Sequence, residues 1–75
     1  MSKQEENEFQ IKTMRRNLRL FREERNWSIE QLSQISKIDA KILVGIENEA
    51  NFDIEFLFTL CHLYGIRLQK IFLAR

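Results

Sequence analysis

Ile11, Met14, Leu18 and Phe21 follow one another at steps of three and four, the spacing that lines one stripe of a helix, and they predict a first helix over 11–25. Asn26, which tolerates a left-handed backbone, ends it. Lys12, Arg16 and Arg19 lie away from the stripe, whereas Arg22 lies on its edge and can reach inward. Ahead of Ile11 the chain is polar and acidic, with Glu5, Glu6 and Glu8 and no apolar period. Positions 1–10 therefore read as a flexible acidic tail and 11–75 as the folded domain.

The next apolar run opens with Trp27-Ser28-Ile29-Glu30-Gln31-Leu32, a complete helix start. Ser28 is placed to cap the amide of Gln31 while the Gln31 side chain reaches back to the amide of Ser28, and Trp27 can clasp Leu32 across the cap. This second helix begins near Ile29 and stops near Ile35, where Ser36-Lys37-Ile38 breaks the apolar spacing; Asp39 is an N-cap residue for a third. Two short helices joined by about three residues make a helix-turn-helix unit over 28–48. At about 100° per residue, Leu43 and Ile46 fall on one side of the third helix with Ile42 beside them. Lys41, Val44, Gly45 and Asn48 cluster on the opposite side, with Ala40 at the edge of that cluster.

Glu49 to Phe52 reads as a loop, and Asp53 opens a fourth helix with Phe52 and Leu57 in the two positions of a hydrophobic staple. Ile54, Leu57, Phe58, Leu60, Cys61 and Tyr64 cover a wide arc of this helix, and Phe56 and Leu63 lie outside its best-packed sector. Gly65 closes it in the left-handed conformation. Ile66 to Leu73 reads as a fifth, short amphipathic helix with Leu68, Ile71 and Phe72 inward and Arg67 and Lys70 outward. The whole predicts an all-α, compact five-helix bundle, whose surplus apolar positions Phe56, Leu63 and Leu73 suggest a homodimer interface.

Composition suits helices, with no proline and two glycines among 75 residues. That length makes one domain with a marginal core, to which a second copy would add buried area. The formal charge is +1, but from Ile11 to Arg75 eleven basic side chains face eight acidic ones, a net +3 that leans modestly toward a polyanionic partner. Cys61 is the one cysteine; it cannot form an internal disulfide and reads as packing. No long apolar run or N-terminal signal pattern occurs, so a cytoplasmic protein with no membrane partner is predicted. His62 reads as a surface residue and, with only Cys61 beside it, supplies too few ligands for a metal. No glycine-rich phosphate loop, catalytic carboxylate pair or Ser-His-Asp set can be assembled, so neither an enzyme nor a cofactor is predicted.

The stretch Leu18-Arg19-Leu20-Phe21-Arg22-Glu23-Glu24-Arg25-Asn26-Trp27-Ser28, then Leu32, Ile38, Leu43-Val44-Gly45-Ile46-Glu47-Asn48, Asp53-Ile54-Glu55-Phe56-Leu57 and Leu60 to Phe72, resembles the Cro-like or XRE phage-repressor helix-turn-helix domain. The resemblance covers Leu18 to Phe72 and implies a lambda-repressor-like DNA-binding fold. It implies an ion pair between Arg22 and Glu47, and it matches Ser28 and Asn48 to positions that touch phosphate. The sequence departs from the family at Ile29, where a phosphate-touching glutamine is usual, and at Lys37, which replaces the turn glycine. It departs again at Ala40, Val44 and Gly45, where polar base readers are usual, so Lys41 alone keeps hydrogen-bonding reach on that face.

These residues lead to the expectation of a sequence-specific, repressor-like transcriptional regulator that binds double-stranded DNA as a homodimer, with the third helix in the major groove. Phosphate contacts from Ser28, Lys37 and Asn48, joined by Arg16 and Arg19, would supply most of the affinity, although the two arginines read first as a solvated face and only second as a phosphate patch. Lys41 would favour guanine acceptors. The alternative is a protein-interaction module or antitoxin-like partner on the same fold, because Ile29, Ile35, Val44 and Phe56 are apolar where a DNA binder prefers polar groups.

Overall fold

A computed structural model describes the backbone of residues 3–48 and 53–73 and the side chains from Gln10 onward. The loop reading at Glu49 to Phe52, and with it the Phe52 half of the staple, lies outside those residues. Helix α1 spans Lys3–Glu24, α2 Ile29–Ser36, α3 Ala40–Asn48 and α4 Ile54–Tyr64, followed by a 3₁₀ segment over Leu68–Phe72. The class is all-α, but the described residues contain four α-helices rather than five. Two differences from the sequence pattern follow from what that pattern measures. The first helix starts at Lys3, not Ile11, because Lys, Gln and Glu favour helix without needing an apolar face. The predicted fifth helix is a 3₁₀ turn: Arg67 precedes it without a side-chain cap, and five residues are too few to sustain an α-helical nucleus.

Local chemistry ends the helices where the backbone turns left-handed. Asn26 (φ 58°) and Gly65 (φ 71°) both close Schellman motifs, with the amides of Trp27 and Ile66 donating to the carbonyls of Arg22 and Cys61 at 3.2 and 3.0 Å. Between these two ends Arg25 acts as a strut. Its guanidinium donates to the carbonyls of Phe21 and Tyr64 and lies 4.9 Å from the Tyr64 ring and 5.8 Å from Trp27. Tyr64 also stacks on Phe21 and Trp27, so the close of α1 and the close of α4 are held as one aromatic block.

The core runs through every element: Met14, Leu18 and Phe21 of α1, Leu32 of α2, Leu43 and Ile46 of α3, Leu57, Leu60, Cys61 and Tyr64 of α4, and Ile71 of the 3₁₀ segment. Asn17 sits inside the α1 stripe and is fully buried; its Nδ2 donates to the carbonyls of Ile71 and Leu73 at 2.8 and 2.7 Å, fastening the 3₁₀ segment to α1. On α4 the packed arc is rotated from its sequence reading. Phe56 and Leu63 are half-buried against the core, whereas Ile54 and Phe58 are 46% and 54% exposed. Periodicity places residues relative to one another around a helix, but the neighbouring elements decide which sector is covered.

Candidate nucleic-acid interface

The site is built on α2, the turn and α3. Ser28 starts α2 with a reciprocal capping box: its Oγ accepts from the Gln31 amide at 3.1 Å and its own amide donates to Gln31 Oε1 at 2.8 Å. Lys37 ends α2 in the left-handed region (φ 65°, ψ 21°), its amide donating to the Ser33 carbonyl at 2.9 Å. Two serines then stitch the turn. Ser33 Oγ donates to the Ile38 carbonyl at 2.6 Å, and Ser36 Oγ accepts from the Ile38 amide at 3.2 Å. Asp39 Oδ1 accepts the Lys41 amide at 2.8 Å and opens α3.

Leu43, Ile46 and Glu47 are the buried residues of α3. Lys41, Val44 and Asn48 are exposed, and Ala40 and Gly45 are half-buried. Between α2 and α3 an open groove of about 600 Å³ is lined by Arg22, Ser28, Ile29, Glu30, Ala40, Lys41 and Val44. Four of the predicted contact residues thus share one groove, while Lys37 stands at the turn and Asn48 at the far end of α3. Glu30 places a carboxylate beside that groove, a feature the sequence reading did not weigh.

Arg22 fixes α3 against the rest of the fold. Its Nε and Nη2 donate to Glu47 Oε2 and Oε1, both at 2.9 Å, and its Nη1 donates to the Trp27 carbonyl at 2.8 Å. One guanidinium therefore joins α1, the entry to α2 and the last turn of α3. The two side chains are 14% and 4% exposed, and the hydrogen bond to Glu47 raises the Arg22 pKa above its ordinary value, so the cation persists at all working pH.

Two further arginines grip the same end of α3. Arg15 Nη1 donates to the Asn48 carbonyl at 3.0 Å, and Arg19 Nη2 donates to the Glu47 carbonyl and to Asn48 Oδ1, each at 3.1 Å. The two backbone acceptors, Glu47 and Asn48, are helix C-terminal carbonyls that lack intrahelical partners, and cations suit that end of the dipole. Asn48 Nδ2 meanwhile donates one of its two hydrogens to the Val44 carbonyl at 3.0 Å, which leaves the other for a further acceptor. Arg16 is exposed on the same side of α1. Sequence reading passed over Arg15; its signal was the i, i+4, i+7 series Arg15, Arg19, Arg22 on one helix.

Of the remaining candidates, His62 is exposed, and Cys61 is buried with its thiol pKa pushed up by that burial. Among the described residues no set of His, Cys, Asp and Glu converges to hold a metal, and no helix is long and apolar enough to cross a membrane. A family model described as "Helix-turn-helix domain" matches residues 16–74. No curated protein and no solved structure matches the chain. With α2, its turn and α3 fastened in this arrangement and most of the chain covered by that match, the protein belongs to the helix-turn-helix domain family, of the Cro-like, XRE type.

Proposed function

We propose that this protein is a DNA-binding transcriptional regulator of repressor type, acting in the cytoplasm as a homodimer on double-stranded DNA without a cofactor. The observation that carries the proposal is the mounting of α3: Leu43, Ile46 and Glu47 are buried, Lys41, Val44 and Asn48 stand exposed on the outer side, Asp39 caps its first turn, and Arg22 and Arg19 hold its last. A helix that reads base edges must be held rigidly by its supports. Lys41 donates to guanine acceptors, Ala40 and Val44 offer apolar contact to thymine methyl groups, and Gly45 leaves space for close approach. Ser28, Lys37 and Asn48, with Arg16 and Arg19, serve the phosphates. So few polar base readers make DNA shape a contributor to selection.

The test is fluorescence anisotropy against duplex DNA at several salt concentrations. Wild type should lose affinity with a log–log slope set by its phosphate contacts. Lys41→Ala should weaken the best site by about 1–3 kcal/mol and relax preference at one base position. Absence of salt-dependent binding by wild type would sink the proposal. One observation favours a second function, a protein-interaction module or antitoxin-like partner: Ile29, Ala40 and Val44 form apolar walls of the groove and Glu30 stands beside them. If DNA is not bound, Val44→Glu should abolish capture of that partner.

A further inference from the structure

We propose that Lys12, Arg15, Arg16 and Arg19 form a second phosphate seat, receiving the backbone of the same duplex at the C-terminal end of α3. The proposal rests on the DNA-binding function above, where Arg16 and Arg19 already serve phosphate, and deepens it by adding Lys12 and Arg15 and gathering all four into one seat. Positions 12, 15, 16 and 19 stand at i, i+3, i+4 and i+7, which gathers them on one face of the helix. Together with Glu47 and Asn48 they line a cleft of about 350 Å³.

Charge, preorganisation and position each point to phosphate. Among the described residues Glu47 is the one acidic residue in the lining, and both its carboxylate oxygens accept from Arg22, while Lys12, Arg15, Arg16 and Arg19 bring four basic side chains to the cleft. Arg15 and Arg19 are already held by the last carbonyls of α3, each through a single terminal nitrogen. A guanidinium carries five N–H donors, so both retain donors for an anion and lose little freedom in binding it. Asn48 belongs both to this cleft and to the outer side of α3. Phosphate strands bound the major groove on either side, so a duplex that admits α3 brings backbone toward the end of that helix. This continuity selects a duplex over an acidic peptide as the occupant.

The experiment compares wild type with the Lys12→Ala/Arg16→Ala double variant and with Arg19→Ala, on a preferred and a scrambled duplex, with melting followed by circular dichroism. Between about 50 and about 200 mM salt the double variant should lose affinity about 12-fold less steeply than wild type, alike on both duplexes, as removal of two phosphate contacts requires. Arg19→Ala should flatten the slope by about one contact and also reduce discrimination between the duplexes, because it releases α3. An unchanged slope in the double variant with wild-type melting overturns the seat while leaving the DNA-binding function standing. Loss of discrimination in Arg19→Ala with no change of slope makes that arginine a helix clamp only and likewise overturns the seat. Wild type that binds a polyglutamate peptide but no duplex overturns both proposals.

Discussion

Glu47→Ala is the substitution whose effect the geometry defines most sharply. The carboxylate is 4% exposed and accepts two charge-assisted hydrogen bonds at 2.9 Å, so its removal strips Arg22 of both while leaving the bond to the Trp27 carbonyl. Breaking a buried pair from one side costs about 3–5 kcal/mol, and the 14% exposure of Arg22 lets water reach the abandoned cation, which favours the lower end, about 3 kcal/mol. For a domain of this size that corresponds to a fall in melting temperature of about 12–24 °C. Urea denaturation followed by circular dichroism should show a lower midpoint with an unchanged slope, since the surface exposed on unfolding is the same. A double-mutant cycle with Arg22→Ala should give a coupling of about 2 kcal/mol, within the range for side chains in direct contact. Melting within about 2 °C of wild type, or a coupling within about 0.5 kcal/mol of zero, would refute the account of α3 as a helix pinned by this pair.

Lys37→Gly should stabilise the fold by about 0.5–1 kcal/mol, because glycine relieves the left-handed strain and gives back part of the gain as unfolded-chain entropy. The same variant should lose about one phosphate contact from the salt slope, so equal or lower stability, or an unchanged slope, counts against the assignment. Phe58→Asp should hold the protein monomeric in sedimentation at tens of micromolar if the exposed Ile54 and Phe58 self-associate; a wild type that is itself monomeric with and without DNA removes the dimer. Tyr64 is the sole tyrosine, and burial raises its phenol above the ordinary value of 10.0. The protonated form is the one the fold favours, so this group's contribution is complete below the unfolded value and is lost as pH rises beyond it toward the folded one. Tyrosinate absorbance should therefore lag past pH 10.0 and appear together with loss of helical signal; ionisation at 10.0 in a still-folded protein would contradict its burial.

Features legible in the sequence were those settled within a few residues. Ser28 and Gln31 lie three apart and carry complementary groups, so their reciprocal cap follows from types and spacing alone. Gly65 and Asn26 mark helix ends for the same local reason. The sector of α4 that packs depends on where α2 and the 3₁₀ segment stand, which spacing along α4 does not encode. Arg19 illustrates a similar limit: its position off the apolar stripe indicates that it is exposed, but its partners lie 28 and 29 residues away. Asn17 did leave a trace, a polar residue at the centre of the Met14, Leu18, Phe21 stripe, where only a specific hydrogen-bonded role justifies an amide.

The Asn17 tether also sets an order of assembly. The serine bond that shapes the turn joins residues five apart, whereas Asn17 must find Ile71 across 54. Closing the longer loop costs about 2 kcal/mol more in chain entropy, so α2, the turn and α3 can organise before the 3₁₀ segment docks. In the folded protein the same segment is packed through the fully buried Ile71, but it is one short 3₁₀ turn whose hydrogen-bond geometry is poorer than that of an α-helix. Amide exchange at residues 68–73 should accordingly outpace exchange in α3, so the 3₁₀ turn opens while α3 stays in register.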